Sequence, residues 1–234
     1  FFPDVQRFRD ALRCANAVIS GSFALNIALH CCNRPAASHW RPNDMDLYCG
    51  IHHYVWFLTY LIRVEGYLPM FTGGEQEQCL VPHYGGGGIA LIFRLVNSRG
   101  RQLDVICADS ESALTPIPHF WGTLVVNYVS ADEICVAYPR LTLNGIGYIN
   151  PARIGMGTND AIEKYAARGF TITPFTDNND THPLFPPNAH CPHSLRGFDD
   201  VHSLRIRLGD TLTEHSTVPH LVWCPRWRWA GPSC

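Results

Sequence analysis

What this chain of 234 residues has little of narrows its chemistry first. No sign of charge dominates: the formal net charge is -2, which gives no global attraction to nucleic acid and excludes long electrostatic tracking of a duplex. Only a local basic patch remains as a route to RNA. Long apolar runs are also missing. The longest, Tyr54 to Val64, contains Arg63 and falls short of the roughly 18 to 20 residues that a membrane-spanning helix needs. No signal-peptide pattern is visible; the sequence opens on Phe1 rather than Met, so a trimmed leader is compatible with it. Ten cysteines are too few for a disulfide scaffold at this length. Cys14, Cys31, Cys49, Cys107 and Cys135 lie in apolar segments, so buried free thiols and an intracellular setting, cytoplasmic or nuclear, are expected. Lys164 is the only lysine, and the arginine preference reads as codon composition. Internal repeats and coiled-coil heptads are absent.

What is present is a globular composition with enough length for a sizeable core. The expected division is a core over residues 1–125 and a helical, loop-rich extension over 126–234 packed on it. Val5, Phe8 and Leu12 follow helical spacing, so Val5 to Cys14 reads as an opening helix. Strands are expected at 17–20, 44–49, 89–96 and 102–107, with helices at 22–32, 54–65 and 160–168. Asn97-Ser98-Arg99-Gly100 between two apolar runs is a hairpin signal. The four glycines ending at Gly88 lack the Lys-Ser/Thr of a phosphate loop and read as a turn. Trp121 to Ser130 fits helix or strand; Thr171 to Pro192 is Pro-rich and reads as a loop. The fold class is therefore α/β (α+β): a mixed sheet flanked by helices.

The richest stretch is Ala17-Val18-Ile19-Ser20-Gly21-Ser22, followed by Asp44-Met45-Asp46-Leu47-Tyr48. Gly21 permits a tight strand-to-helix turn, and Ser22 suits a helix start whose free amides form an anion site. Side chains alternate along a strand, so Asp44 and Asp46 share one face. Neighbouring carboxylates repel unless a cation lies between them, and a hard divalent ion suits oxygen ligands. Asp104, on the strand Gln102-Leu103-Asp104-Val105-Ile106, adds a third carboxylate. Three acids beside a phosphate cradle fit two-metal phosphoryl or nucleotidyl transfer.

These residues resemble the signature of the nucleotidyltransferase superfamily related to DNA polymerase beta: an apolar strand, Gly-Ser, a helix, Asp-x-Asp and a later strand Asp. More narrowly the chain is similar to nucleotidyltransferase-like proteins of mushroom-forming fungi. That likeness extends to Ala137-Tyr138-Pro139-Arg140 and Glu163-Lys164-Tyr165-Ala166-Ala167-Arg168-Gly169-Phe170, covering most of residues 15–170. The resemblance implies a nucleotidyltransferase-like sheet in which Gly21 and Ser22 hold nucleotide phosphates. Asp44, Asp46 and Asp104 would bind two Mg²⁺ ions, and Asp104 would help deprotonate the attacking hydroxyl. The implied substrate is an NTP, and the implied acceptor is a hydroxyl, of a small molecule, RNA or protein. The interval from Gly21 to Asp44 is longer than in many members, implying an inserted loop within Cys31 to Asn43. Two alternatives stay open: a non-catalytic module of the same fold, with Asp104 turned away, and a toxin- or defence-type transferase that differs only in acceptor.

Other residues carry weaker signals. His52 and His53 follow the second strand and are within reach of a phosphate or metal, or merely exposed. His190, Cys191, His193 and Cys224 match no standard zinc spacing. Arg94 either supports a phosphate or faces solvent. Arg226-Trp227-Arg228-Trp229 either stacks bases or docks on the domain through its tryptophans, and docking is the preferred reading.

Overall fold

The computed structural model describes residues 1–34, 40–70, 87–154, 158–174, 194–209 and 224–229. In chain order its elements are α1 (Val5–Cys14), β1 (Val18–Ser20), α2 (Gly21–Cys31), β2 (Asp44–Cys49), α3 (Tyr54–Arg63), β3 (Leu68–Pro69), β4 (Ile89–Val96) and β5 (Gln102–Ala108). There follow β6 (Asn127–Val129), β7 (Glu133–Val136), α4 (Pro139–Thr142), β8 (Ile146–Ile149), α5 (Thr158–Ala167), β9 (Thr171–Pro174), β10 (Arg196–Gly197), β11 (Leu204–Arg207) and β12 (Arg226–Trp227). No helix among the described residues is long and apolar enough to cross a membrane.

Eight strands form one mixed sheet in the order β11-β7-β6-β1-β2-β5-β4-β3. Every neighbouring pair is antiparallel except β2 and β5. Local chemistry sets its boundaries. The Asp4 side chain accepts the Arg7 amide at 2.9 Å and caps α1. Asn97 Oδ1 accepts the amides of Arg99 and Arg101, each at 3.0 Å, and Gly100 takes a positive φ of 72° to turn β4 into β5. The hairpin is where the sequence places it.

Alternation along the strands divides the core. One face carries Ile19, Met45, Leu47, Leu103, Val105, Ile134 and Val136, and α1, α2 and α3 cover it through Phe8, Leu12, Ala24, Ala28, Phe57 and Leu61. The opposite face carries Val18, Tyr48, Ile106, Tyr128 and Cys135, covered by Ile117, Tyr138, Leu141, Phe198 and Trp227. Burial of this apolar surface is the main driving force for the arrangement.

Several expectations are corrected. The region after His119 is not chiefly helical: β6, β7 and β11 extend the main sheet across the position of residue 125, and β8 pairs in parallel with β9. Trp121 to Ser130 contains a short 3₁₀ turn, Thr123–Val125, and then β6. Thr171 to Pro174, expected as loop, is strand; the rest of that loop lies outside the described residues. These strands have only three or four residues, too short to display a period, although Thr171-Ile172-Thr173 has the β-branched content of a strand. Cys49, Cys107 and Cys135 are buried free thiols, whereas Cys14 and Cys31 are free but exposed, because each ends a helix on its outward side.

The C-terminal tryptophans dock. Trp227 Nε1 donates to the Tyr138 hydroxyl at 3.0 Å, and Trp229 Nε1 donates to the Pro118 carbonyl at 2.8 Å. Beside them Arg196, 1% exposed, pairs with Asp200 at 2.6 Å, donates to the Ala137 carbonyl and lies 4.5 Å from the Tyr138 ring centre. Burial alone would raise the Asp200 carboxyl, but hydrogen bonds from Arg196 and the Gly197 and His202 amides bring it down to about 2. A lowered carboxyl stabilises the fold above its unfolded value near 3.8, and that contribution disappears as pH falls towards 2. Arg196→Met leaves Asp200 without its cation and is expected to cost about 3 kcal/mol in urea denaturation at pH 7, and markedly less at pH 2.5. Equal losses at both pH values would show that the ion pair is not the source.

Candidate functional site

Strand β1 ends directly in α2, and the turn is made by Gly21 with φ of 64°. Ser20 is fully buried, and its hydroxyl donates to the Asn127 carbonyl at 2.5 Å, fixing this corner against β6. Ser20 is also the register partner of Asp46 on β2. A Cβ built on Gly21 would collide with Oδ2 of Asp46. Glycine is therefore required here twice, for the left-handed backbone and for the carboxylate lying against it. The leading amides of α2, at Gly21 and Ser22, have no intrahelical partner and add partial positive charge at this corner.

The parallel ladder brings the three acids together. Asp46 is opposite Asp104, while Asp44 is opposite Gln102 and shares the face of Asp46 two residues away. The coupling is visible in their protonation. Burial, then Asp44 and Asp104, push the Asp46 carboxyl up to about 7, with Lys164 opposing. Asp104 is also raised, first by burial and further by Asp44, against the pull of Arg94. Arg94 faces Asp104 from β4, with Nε 3.7 Å from Oδ2. The sheet thus sets Asp46 beside Asp104 with Asp44 on the same face, and Gly21, followed by Ser22, lies against Asp46.

Residues not anticipated at the site come from α5 and the approach to β2. Tyr165 is buried; burial raises its phenol, Arg168 opposes, and Asp46 and Asp44 raise it further. The Arg168 guanidinium lies 4.1 Å from the Trp40 ring centre and 4.9 Å from that of Tyr165. Lys164 lies in the last turn of α5, and Arg168 follows directly after its end at Ala167. Their spacing was readable in Glu163-Lys164-Tyr165-Ala166-Ala167-Arg168, but nothing local ties α5 to β2. Tyr48 continues the carboxylate face as a buried floor, its phenol raised by burial and then by Asp46 and Asp104.

Other expected contributors stand elsewhere. His52 lies beyond the far end of β2, where Nε2 meets Glu111 Oε1 at 3.5 Å. His190, Cys191 and His193 lie outside the described residues. Arg226 pairs with Asp199, and Trp227 is buried, so that segment offers no open stacking ladder.

The donor set consists of oxygen, which suits a hard divalent ion. Among the described residues, no group of three or more His, Cys, Asp or Glu side chains is already arranged to hold a metal ion. Mg²⁺ does not require such a cage, because it keeps several waters and completes its shell with one or two carboxylates and substrate phosphates. The residues fit that mode. Among known proteins, no family model, curated protein or solved structure matches this chain.

A carboxyl raised on folding favours the fold most when protonated. Stability from Asp46 is therefore full below about 3.8 and lost as pH rises through about 7. Metal-free protein is expected to lose on the order of 2–4 kcal/mol between pH 4 and 8 through this group. Asp46→Asn should flatten that part of the profile in urea denaturation; an unchanged profile would contradict the burial of this charge. Gly21→Ala should cost about 1–3 kcal/mol in the same measurement, from the strained backbone and the contact with Asp46.

Proposed function

We propose that this chain is a metal-dependent nucleotidyltransferase that moves a nucleoside monophosphate from an NTP to a hydroxyl acceptor. The observation carrying the reading is the register pairing of Asp46 with Asp104, with Asp44 on the same face and the start of α2 against Asp46. The nucleotidyltransferase-like form of the mixed sheet belongs to the same proposal. Asp44, Asp46 and Asp104 would hold two Mg²⁺ ions. When bound, the ions supply charge neutralisation for the polyphosphate and lower the pKa of the acceptor hydroxyl.

The chain's own groups account for the remaining work. The Gly21 and Ser22 amides donate to phosphate oxygens, and the missing side chain at Gly21 leaves the Asp46 carboxylate its place against the same turn. Asp104 accepts the acceptor's hydroxyl proton. The acceptor oxygen then bonds to the α-phosphorus as the bond to the bridging oxygen breaks, and pyrophosphate leaves with that electron pair. Asp46 must be ionised to bind a cation, so activity should rise with pH through about 7 in the metal-limited range. A second reading, a non-catalytic binding module, draws on the Arg94–Asp104 ion pair, which engages one of the three acids.

Calorimetric titration with non-hydrolysable ATP and GTP analogues separates the readings. Binding that requires Mg²⁺ and disappears in Asp46→Asn is expected, together with a loss of about 10²-fold or more in nucleotidyl transfer for Asp44→Asn and Asp46→Asn. Full activity in either Asn variant would overturn the mechanism. Failure of both analogues to bind would favour the module.

A further inference from the structure

The chain leaving α5 sets a guanidinium into a corner of aromatic rings. Beyond Ala167 it turns back, and the amides of Arg168 and Phe170 both donate to the Tyr165 carbonyl at 3.1 Å. Tyr165 and Phe170 are thereby brought together, with ring centres 5.8 Å apart, and Trp40 meets them edge-on at 6.5 and 6.4 Å. The Arg168 guanidinium fills the angle between Trp40 and Tyr165, whose planes are inclined at 73°. Trp40 is tied in turn to α2, because Asn26 Nδ2 donates to its carbonyl at 3.2 Å. What the corner lacks is an acceptor. Nη1 of Arg168 and Nε1 of Trp40 are both buried, and neither has a hydrogen-bond partner. The guanidinium turns part of its edge to the Tyr165 phenol, yet among the described residues it forms no ion pair.

We propose that Arg168, held by Trp40 and Tyr165, is a binding residue for a phosphate group, which supplies the acceptor oxygens that this corner lacks. Contact with ring faces fixes a cation in place but leaves its N–H donors unspent. A stack with a purely structural role would put Nη1 in water or against a carbonyl. Arg168 and Trp40 are each only half-buried, so the corner is reached from solvent. The planar fork of a guanidinium matches two oxygens of one phosphate, and the rings leave its edge, not its faces, for a ligand. The indole N–H belongs to the ring that the guanidinium touches and is a second donor there. Holding the long side chain in advance lowers the cost of ordering it on binding. Trp40 and Tyr165 act as positioning residues. That the group is a phosphate rests on the nucleotidyltransferase reading; the unfilled donors do not. Trp40 stands four residues before Asp44, and Asn26 five after Gly21, so the corner borders the elements that carry the acids. The phosphate belongs either to the nucleotide or to the acceptor, and the contact is the same for both.

The test uses the full chain without metal at low ionic strength, with pyrophosphate as the probe. Calorimetry measures its affinity, and NMR follows the Trp40 indole N–H, assigned by its loss in Trp40→Phe. Pyrophosphate should move that resonance saturably. Arg168→Gln should bind it at least about tenfold more weakly than the parent. Arg168→Lys, which keeps the charge and most of the packing but not the fork, should fall between the two. Trp40→Phe keeps a ring and loses the donor, and should bind about threefold more weakly. Equal affinity in the parent and Arg168→Gln, or a parent that does not bind pyrophosphate, would overturn the inference. The ATP analogue then identifies the source: displacement of pyrophosphate marks the nucleotide's own phosphates, and simultaneous binding marks a phosphate of the acceptor. An analogue that binds with Mg²⁺ to a parent indifferent to pyrophosphate would leave the nucleotidyltransferase reading intact without the corner. Pyrophosphate held by Arg168, with neither the ATP nor the GTP analogue bound, would remove that reading and leave the anion site standing.

Discussion

The site depends on one pairing, the parallel alignment of β2 with β5 inside a sheet that is otherwise antiparallel. Parallel neighbours run in the same direction, so equivalent positions stay side by side along the whole ladder. That alignment sets Asp46 against Asp104 and keeps Met45, Leu47, Leu103 and Val105 together on the helix-covered face. A slip of one residue would exchange the two sets, putting carboxylates into the core and leucines into the site. The apolar core therefore enforces the register that the acids could not choose, since their mutual repulsion opposes it.

The molecule tolerates this repulsion because the rest of the sheet is well secured. Glu133 accepts from the Tyr128 hydroxyl at 2.5 Å and from Arg205 at 2.7 Å, which binds β11 to β7. Arg9 donates to the carbonyls of Ala131 and Leu208, and Arg13 meets Asp132 at 2.5 Å, so α1 clasps the same edge. These contacts are far from the carboxylates. Stability and charge repulsion thus reside in different parts of one sheet, as is common where a site is strained for use.

Much of this was legible in the sequence, for local reasons. Helix α1 announced itself through Val5, Phe8 and Leu12, the hairpin through Asn97 and Gly100, and the shared face of Asp44 and Asp46 through their spacing. What remained hidden is non-local. Strands β6 and β7 are too short for a pattern and owe their state to neighbours in the sheet. The opposition of Arg94 and Asp104 requires the register of two strands, and the contact of Arg168 with Trp40 requires the packing of a helix end more than a hundred residues away. Residue types identified the acids, and only tertiary structure identified what these arginines meet.

The place of β11 at the outer side of β7 has a consequence for synthesis. While the nascent chain is still short of Leu204, β7 has β6 on one side and nothing on the other. Its free edge, Glu133-Ile134-Cys135-Val136, offers unpaired amides and carbonyls to any extended segment nearby. About seventy residues must leave the ribosome before the proper strand arrives, which takes several seconds at ordinary elongation rates. Glu133 is the one charge on that edge, and until Arg205 reaches it, it is a gatekeeper against wrong partners.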